Sequence, residues 1–145
     1  MKIIGKILAV DPGEKNIGLA ISDETATLTR PLQVIKHVSK VVDAAMIADL
    51  AKENNAIKII LGVVYGENGE DIPQTRHARG LAAAVEAQTT LPVILWDEFG
   101  TTNAAKAMLV ELGVRQQKRG GHQDGLAAAM ILQSYLNSPG AHDAE

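Results

Sequence analysis

The feature that most constrains this chain is an aspartate placed between two apolar runs near its beginning. Residues 7–10 form the first run, which ends in Asp11-Pro12-Gly13, and residues 17–22 form the second. Apolar runs separated by turn-forming residues are typical of two strands joined by a tight turn. Asp11 would then lie at the edge of a hydrophobic sheet, where an uncompensated carboxylate is energetically costly. We therefore expect Asp11 either to serve the turn alone, to bind a cation or to belong to a phosphate site.

The composition indicates one globular domain. A chain of 145 residues can bury roughly two-thirds of its unfolded surface, and we expect a single domain over 1–138 followed by a disordered tail over 139–145. Aromatic residues make up only 3% of the chain, so few side chains are available to stack on the bases of a single-stranded nucleic acid. Cysteine is absent, which excludes disulfides and thiolate metal sites.

Charge and hydropathy narrow the choice of partners. The net charge of −3 argues against a general nucleic-acid coat protein, which carries a broad basic surface. It leaves room for an enzyme that contacts a few phosphates, because catalytic carboxylates add negative charge. No apolar run reaches membrane-spanning length, and the beginning of the chain lacks the features of a signal peptide. We expect a cytoplasmic protein with no membrane partner.

Apolar patterns and turn residues predict an α/β fold. The predicted strands cover residues 3–10, 17–22, 31–36, 57–61 and 92–96, and the predicted helices cover 41–54, 73–88, roughly 101–113 and 123–136. Short connections make the first three strands an antiparallel meander, whereas the later strands alternate with helices. This order resembles the ribonuclease H-like fold, a mixed five-stranded sheet of three antiparallel and then two parallel strands, with helices on both faces.

Further acids follow the last predicted strand and open the last helix. Asp97 and Glu98 come at the end of strand 92–96, and Asp124 lies in the first turn of the helix. Because parallel strands share one carboxyl edge, a helix packed across that edge brings Asp124 towards Asp11. Clustered carboxylates raise each other's pKa unless a divalent cation lies among them, and Mg²⁺ or Mn²⁺ suits an all-oxygen set. Two such ions about 4 Å apart can clamp the attacking water and the leaving oxygen of a phosphodiester.

Each acid also has a purely structural explanation. Asp11-Pro12-Gly13 can be a turn alone, Asp97-Glu98 a solvated strand end, and Asp124 a favourable charge at a helix N-terminus. Because acids from three parts of the chain are predicted at one edge, we favour a catalytic metal site formed by Asp11, the Asp97-Glu98 pair and Asp124. Adjacent strand residues face opposite ways, so Asp97 and Glu98 both stay candidate metal ligands.

Basic residues near these acids are candidates for nucleic-acid binding. They are Lys15, Arg115, Lys118 and Arg119. Each can contact a phosphate, or simply belong to a solvated loop. His122 can act as a proton shuttle or phosphate contact, and a solvated loop histidine explains it equally well.

Four segments of the chain occur in the order of a known family. They are residues 8–23, Ile59-Ile60-Leu61-Gly62 with a later Gly69, Trp96-Asp97-Glu98 with Thr101-Thr102 and Ala105, and Asp124 followed by 127–136. In these segments the chain resembles the YqgF/RuvX family, bacterial Holliday junction resolvase-like proteins regarded as pre-16S rRNA nucleases. The resemblance implies a ribonuclease H-like fold and metal-dependent cleavage of structured nucleic acid. It also implies that Asp11, Glu98 and Asp124 are the catalytic, metal-binding acids.

The chain departs from the family pattern at two places. Phe99-Gly100 stands where the family usually carries an arginine after the Asp-Glu pair, and Val63-Val64-Tyr65 stands where a proline is usual. These departures bear on substrate preference more than on fold. Substrate binding would then rely on Lys15 and the loop at 115–119.

Three functions follow from these residues and from the resemblance. The first is a Mg²⁺- or Mn²⁺-dependent endonuclease that acts on the 5′ region of pre-16S rRNA. The second is resolution of branched DNA by the same chemistry; symmetric cuts need a two-fold dimer, so both a monomer and a homodimer stay open. The third is a non-catalytic nucleic-acid-binding member of the fold. A nucleotide-binding protein of the actin and sugar-kinase type is disfavoured, because 145 residues leave no room for a second domain.

Overall fold

The computed structural model describes residues 4–97 and 123–138, in which five strands and three helices follow one another. The strands are β1 (Lys6–Pro12), β2 (Asn16–Ser22), β3 (Thr29–Lys36), β4 (Ala56–Val63) and β5 (Val93–Asp97). The helices are α1 (Lys40–Glu53), α2 (Pro73–Glu86) and α3 (Gln123–Leu136).

The strands form one mixed sheet in the order β3-β2-β1-β4-β5. β1 pairs antiparallel with β2, and β2 pairs antiparallel with β3. β1 also pairs parallel with β4, and β4 pairs parallel with β5. The predicted α/β class and the three-plus-two arrangement of strands are therefore confirmed. The carboxyl ends of β1, β4 and β5 share one edge of the sheet, as parallel strands require.

Alternation of side chains along the strands gives the sheet two apolar faces. Leu8 and Val10 of β1 belong to the core between the sheet and helices α1 and α2. Ile7 and Ala9 belong to a second core, which packs against α3. Helices on both faces were predicted, and the structure confirms them. We call these surfaces the α1/α2 face and the α3 face.

Several strands end one to three residues away from their predicted limits, because pairing with a neighbour, not local apolarity, decides where a strand ends. β1 was predicted over 3–10 but runs to Pro12, since Asp11 and Pro12 pair with Gly18 and Ile17 of β2. β3 begins at Thr29, two residues earlier than predicted, and contains Pro31. Proline is tolerated there because β3 is an edge strand and its register with β2 shifts between Leu19 and Ala20.

The helices begin at polar or proline residues that suit a helix N-terminus. Ser39 caps α1, where its hydroxyl oxygen accepts a 3.2 Å hydrogen bond from the Val42 amide. Pro73 is the first residue of α2, a position at which its missing N–H costs nothing. The last helix matches its predicted span, 123–136. No helix among the described residues is long and apolar enough to cross a membrane.

Two predicted segments lie outside the described residues. They are the helix at roughly 101–113 and the tail at 139–145. The assignment of 1–138 to a single domain stays a prediction.

We expect Gly13→Ala to destabilise the protein. A Cβ atom at Gly13 would lie 2.2 Å from the backbone oxygen of Asn16, so the β1–β2 turn must shift to admit it. The free energy of unfolding, measured by urea denaturation, should fall by about 1–3 kcal/mol.

The matched control for Gly13→Ala is Gly125→Ala in α3. There an added Cβ meets its nearest neighbour at 3.5 Å, an ordinary contact. The free energy of unfolding should stay the same or rise by up to about 1 kcal/mol, because alanine favours helix. A Gly13→Ala protein as stable as the wild type would contradict the geometry of the turn.

Asp23 stabilises the β2–β3 connection, and this contribution should be lost in acid. Its carboxylate accepts hydrogen bonds from the Thr25 hydroxyl at 2.7 Å and the Thr27 amide at 2.9 Å, and these bonds lower its pKa from 3.8 to about 2. The stabilisation is therefore fully present above about pH 4 and is lost as the pH falls through about 2. Between these values, the stability of Asp23→Asn should fall less steeply with pH than that of the wild type, as followed by thermal denaturation.

Glu24→Gln, in the same connection, controls for the loss of one negative charge. If Asp23→Asn and the wild type lost stability in parallel between pH 4 and pH 2, the assignment to Asp23 would be wrong.

Candidate active site

Asp11 lies near the carboxyl end of β1, on the α3 face. The alternation that places Ile7 and Ala9 in the α3 core carries Asp11 to the same side. Its side chain is half-buried, and its residue pairs with Gly18 of the neighbouring strand. The sequence placed Asp11 at the edge of the sheet, and the structure agrees.

Both strand neighbours of Asp11 are glycines. Gly18 of β2 lies opposite Asp11, while Gly62 of β4 follows Leu61, the partner of Val10. Neighbouring strands lie about 4.8 Å apart, so a side chain at either position would stand directly beside the carboxylate. Therefore neither neighbouring strand places a side chain beside Asp11.

These residues belong to one row that crosses the whole sheet. The row runs from β3 to β5 as Val34, Gly18, Asp11, Gly62 and Trp96. Asp11 occupies its centre, about two strand spacings from either end. Elements that reach the ends of this row are the ones able to bring further side chains to Asp11.

One end of the row is covered by the beginning of α3. A Cβ added at Gly125 would lie 3.5 Å from Cβ of Pro31 and 3.6 Å from Cγ2 of Val34. Asp124 precedes Gly125 in the first turn of the same helix. The backbone of Asp124 thus lies near the β3 end of the row; its side chain lies outside the described residues.

The other end of the row is Trp96, which Asp97 and Glu98 follow in the sequence. Adjacent residues of β5 lie on opposite faces of the sheet. Trp96 packs in the α3 core, whereas Leu95 packs in the α1/α2 core. Asp97 pairs with Val63, a residue of the α1/α2 core, and its side chain is exposed. Asp97 therefore lies on the face opposite Asp11. Glu98 lies outside the described residues.

Lys15 is the predicted nucleic-acid contact that the structure describes. It is exposed in the β1–β2 turn, which begins directly after β1. The Lys15 carbonyl oxygen accepts a 2.9 Å hydrogen bond from the His37 amide, which ties this turn to the end of β3. Lys15 and Asp11 thus lie at the same edge of the sheet. The other predicted contacts fall outside the described residues: Arg115, Lys118, Arg119 and His122.

Within 4–97 and 123–138, no group of three or more histidines or acids is close enough together to hold a metal ion. The proposed set of three acids is not tested by this finding, because Glu98 and the Asp124 side chain are not among those residues. What the structure does describe is a half-buried carboxylate near the end of β1 with a glycine on each neighbouring strand. A carboxylate oxygen is a ligand that divalent cations prefer.

Sequence reasoning missed a histidine cluster at the same edge, on the α1/α2 face. Asp43 is almost fully buried, pairs with Nδ1 of His37 and accepts a 3.0 Å hydrogen bond from the Val38 amide. The rings of His37 and His77 meet edge to face with centroids 6.3 Å apart. The signal was weak, since an acid in the first turn of a helix is ordinary. The cluster braces the junction of β3 and α1 and lies across the sheet from Asp11.

The strand order, the helices on both faces and an acid near the end of the central strand define a ribonuclease H-like protein. Solved structures of similar fold include Thermus thermophilus RuvC in complex with a Holliday junction substrate, with a TM-score of 0.55 and 13% identity over 92% of this chain and 94% of that one. The fowlpox virus Holliday junction resolvase matches with a TM-score of 0.54 and 18% identity, over 90% of this chain and 97% of that one. The human cytomegalovirus terminase nuclease domain matches with a TM-score of 0.50 and 16% identity, over 93% and 84%.

The chain belongs to the RuvX family, whose model, described as Holliday junction resolvase, matches residues 5–138. A relative from Koribacter versatilis is 36% identical over 94% of this chain and 89% of its own length. One from Bacillus subtilis is 37% identical over 92% of this chain and 98% of its own length. Both carry the name "Putative pre-16S rRNA nuclease". The family and the enzyme class predicted from the sequence, a nuclease, are confirmed.

The opposite placement of Asp97 and Asp11 predicts different effects for two neighbouring substitutions. Asp97→Asn should retain nuclease activity within about tenfold of the wild type, because its side chain lies on the α1/α2 face. If Glu98 is the metal ligand that the sequence predicts, Glu98→Gln should lower the activity by more than about 100-fold, since the loss of a ligand exceeds the cost typical of its supporting residues. Initial rates of cleavage on one labelled substrate measure both effects. A larger loss in Asp97→Asn than in Glu98→Gln would make Asp97 the ligand.

Proposed function

We propose that this protein is a divalent-metal-dependent endonuclease that hydrolyses phosphodiester bonds of structured nucleic acid, and that its substrate is the 5′ region of pre-16S rRNA. The observation that carries the proposal is the position of Asp11. It lies half-buried on the α3 face between Gly18 and Gly62, at the edge shared by the ends of the parallel strands. The names of the relatives, which refer to a pre-16S rRNA nuclease, support the rRNA substrate.

The metal would be held by Asp11, Glu98 and Asp124. Carboxylate oxygens are the ligands that Mg²⁺ and Mn²⁺ prefer, and the chain has no cysteine to favour a softer metal. The glycines on both neighbouring strands keep side chains of the sheet away from the Asp11 carboxylate. Manganese soaking of the cytomegalovirus terminase nuclease domain agrees with this choice of metal. When bound, the ions would supply Lewis-acid stabilisation of the phosphate and activation of the attacking water.

The chain's own residues would bind and orient the nucleic acid at this edge. Lys15 is exposed beside the end of β1, where an ammonium group can neutralise a phosphate that flanks the cleaved one. Arg115, Lys118 and Arg119 are proposed as further phosphate contacts, and His122 as a phosphate contact or proton shuttle. Because phosphate contacts carry no sequence information, recognition would depend on the shape of the folded RNA.

The second candidate substrate is four-way DNA. The family's description as a Holliday junction resolvase and the resolvases among the fold relatives favour it. Resolution of a junction needs two symmetric cuts and therefore a homodimer, whereas cleavage of an rRNA precursor can be carried out by a monomer. An rRNA-processing enzyme would act in the cytoplasm.

Cleavage of two labelled substrates tests this proposal. One is an RNA that contains the pre-16S 5′ leader, and the other is a synthetic four-way DNA junction, each incubated with Mg²⁺, Mn²⁺ or EDTA. We expect metal-dependent cleavage of the RNA. Asp11→Asn should lower the rate by more than about 100-fold, because it weakens the ligand at the centre of the site. Asp49→Asn, which changes an exposed acid on α1, is the matched control and should cleave like the wild type.

Each outcome of this experiment assigns the site differently. Symmetric nicking of the junction without cleavage of the RNA would make the protein a resolvase. Cleavage that is unchanged in Asp11→Asn, or that persists in EDTA, would contradict the proposed site. If neither substrate is cut and Mg²⁺ or Mn²⁺ raises the melting temperature no more than other salts do, the non-catalytic alternative would replace the proposal.

A further inference from the structure

Trp96 connects β5 to α3 through two directed contacts. Its indole Nε1 donates a 3.2 Å hydrogen bond to the hydroxyl oxygen of Ser134. Its ring meets the ring of Tyr135 edge to face, with centroids 5.3 Å apart and an interplanar angle of 88°. Trp96 is the single tryptophan of the chain. Both partners lie in the last turns of α3, far along the helix from Asp124.

A buried lysine extends this connection to β4. Lys58 is only 7% exposed, and its Nζ donates a 3.0 Å hydrogen bond to the Tyr135 hydroxyl. The ammonium group also lies 5.5 Å from the centroid of the Tyr135 ring. We call Trp96, Ser134, Tyr135 and Lys58 the β5–α3 bridge. Burial of an ammonium group is costly, so these partners constrain the position of Tyr135 closely.

The bridge joins the two elements that carry the proposed metal ligands other than Asp11. Glu98 follows Trp96 by two positions, and Asp124 lies in the first turn of α3. Trp96 itself stands in the cross-sheet row of Asp11, next to Gly62. A change in the placement of α3 on the sheet would therefore move Asp124 relative to Asp11.

Apolar packing alone does not fix that placement. Ala128, Ile131 and Leu132 bury α3 on the sheet, but hydrophobic contact is non-directional and tolerates small rotations and shifts of a helix. A hydrogen bond and an edge-to-face ring pair are directional. Since α3 is about 20 Å long, a small rotation at its C-terminal end moves its first turn appreciably.

We propose that Trp96 and Ser134 are positioning residues, which set the placement of α3 on the sheet, and with it the separation of Asp124 and Asp11, and thereby the affinity of the site for its metal. This inference rests on the proposed function, because it needs those two acids to bind the metal. It assigns a role to residues that touch neither the metal nor the nucleic acid. Weakening the bridge should lower metal affinity far more than it lowers the stability of the metal-free protein.

Metal titration of Ser134→Ala tests the proposal without reference to activity. The substitution removes the acceptor of the Trp96 hydrogen bond but keeps the tryptophan, so Trp96 fluorescence and the melting temperature can both follow Mn²⁺ binding. We expect the midpoint of the titration to rise about tenfold, the scale on which supporting residues affect metal sites. Trp96→Phe keeps an aromatic ring without the donor, and its melting-temperature titration should show a similar rise.

Two controls separate this inference from the proposed function. Ser138→Ala removes a hydroxyl that follows α3 and donates to the Tyr135 carbonyl, outside the bridge, and should titrate like the wild type. Asp11→Asn should lose the saturable response to Mn²⁺. If the wild type binds Mn²⁺ through Asp11 but Ser134→Ala has the same midpoint, the positioning role is overturned and the proposed function stands. If the wild type shows no saturable Mn²⁺ binding, the metal-dependent function fails, and the inference fails with it.

Discussion

The hydrogen-bonded pairing of β1 with β2 on one side and with β4 on the other determines where every other described element lies. β1 runs antiparallel to one neighbour and parallel to the other, so it separates a hairpin half of the sheet from a half in which helices connect the strands. Leu8, Ala9 and Val10 have no exposed surface, as expected of a strand covered on both faces. The strand that carries Asp11 is thus held by hydrogen-bonded neighbours on both edges and by apolar packing on both faces.

The two faces of that sheet divide structural and chemical roles. On the α1/α2 face, the acid of the histidine cluster already has its partners. Asp43 is buried, pairs with His37 and accepts a hydrogen bond from the Val38 amide. On the α3 face, the row through Asp11 carries Gly18 and Gly62 on either side of the carboxylate and ends at Trp96. The hydrogen bond from Trp96 to Ser134 adds a directional contact between the sheet and α3 on the same face.

Local sequence patterns were enough to predict much of the fold and part of the candidate site. Apolar runs and turn residues were enough to predict the meander, the alternation of helices and strands, and the span of the last helix. Asp11 could be singled out because a carboxylate after an apolar strand is chemically unusual. The end of β1 could not be predicted, because Asp11 and Pro12 stay in the strand only through their partners on β2. The glycines beside Asp11 could not be predicted either, since Gly18 and Gly62 become its neighbours only through strand register.

The register of β5 also decides which of its side chains lie on the face of Asp11. Residues along β5 alternate between the two faces, so an odd shift in this strand exchanges them while an even shift restores them. Deletion of one residue between positions 93 and 96 would carry Asp97 into the register now held by Trp96, on the face of Asp11. An odd insertion or deletion near the end of β5 would therefore bring the Asp97 carboxylate to the face of Asp11 without removing an acid from the chain.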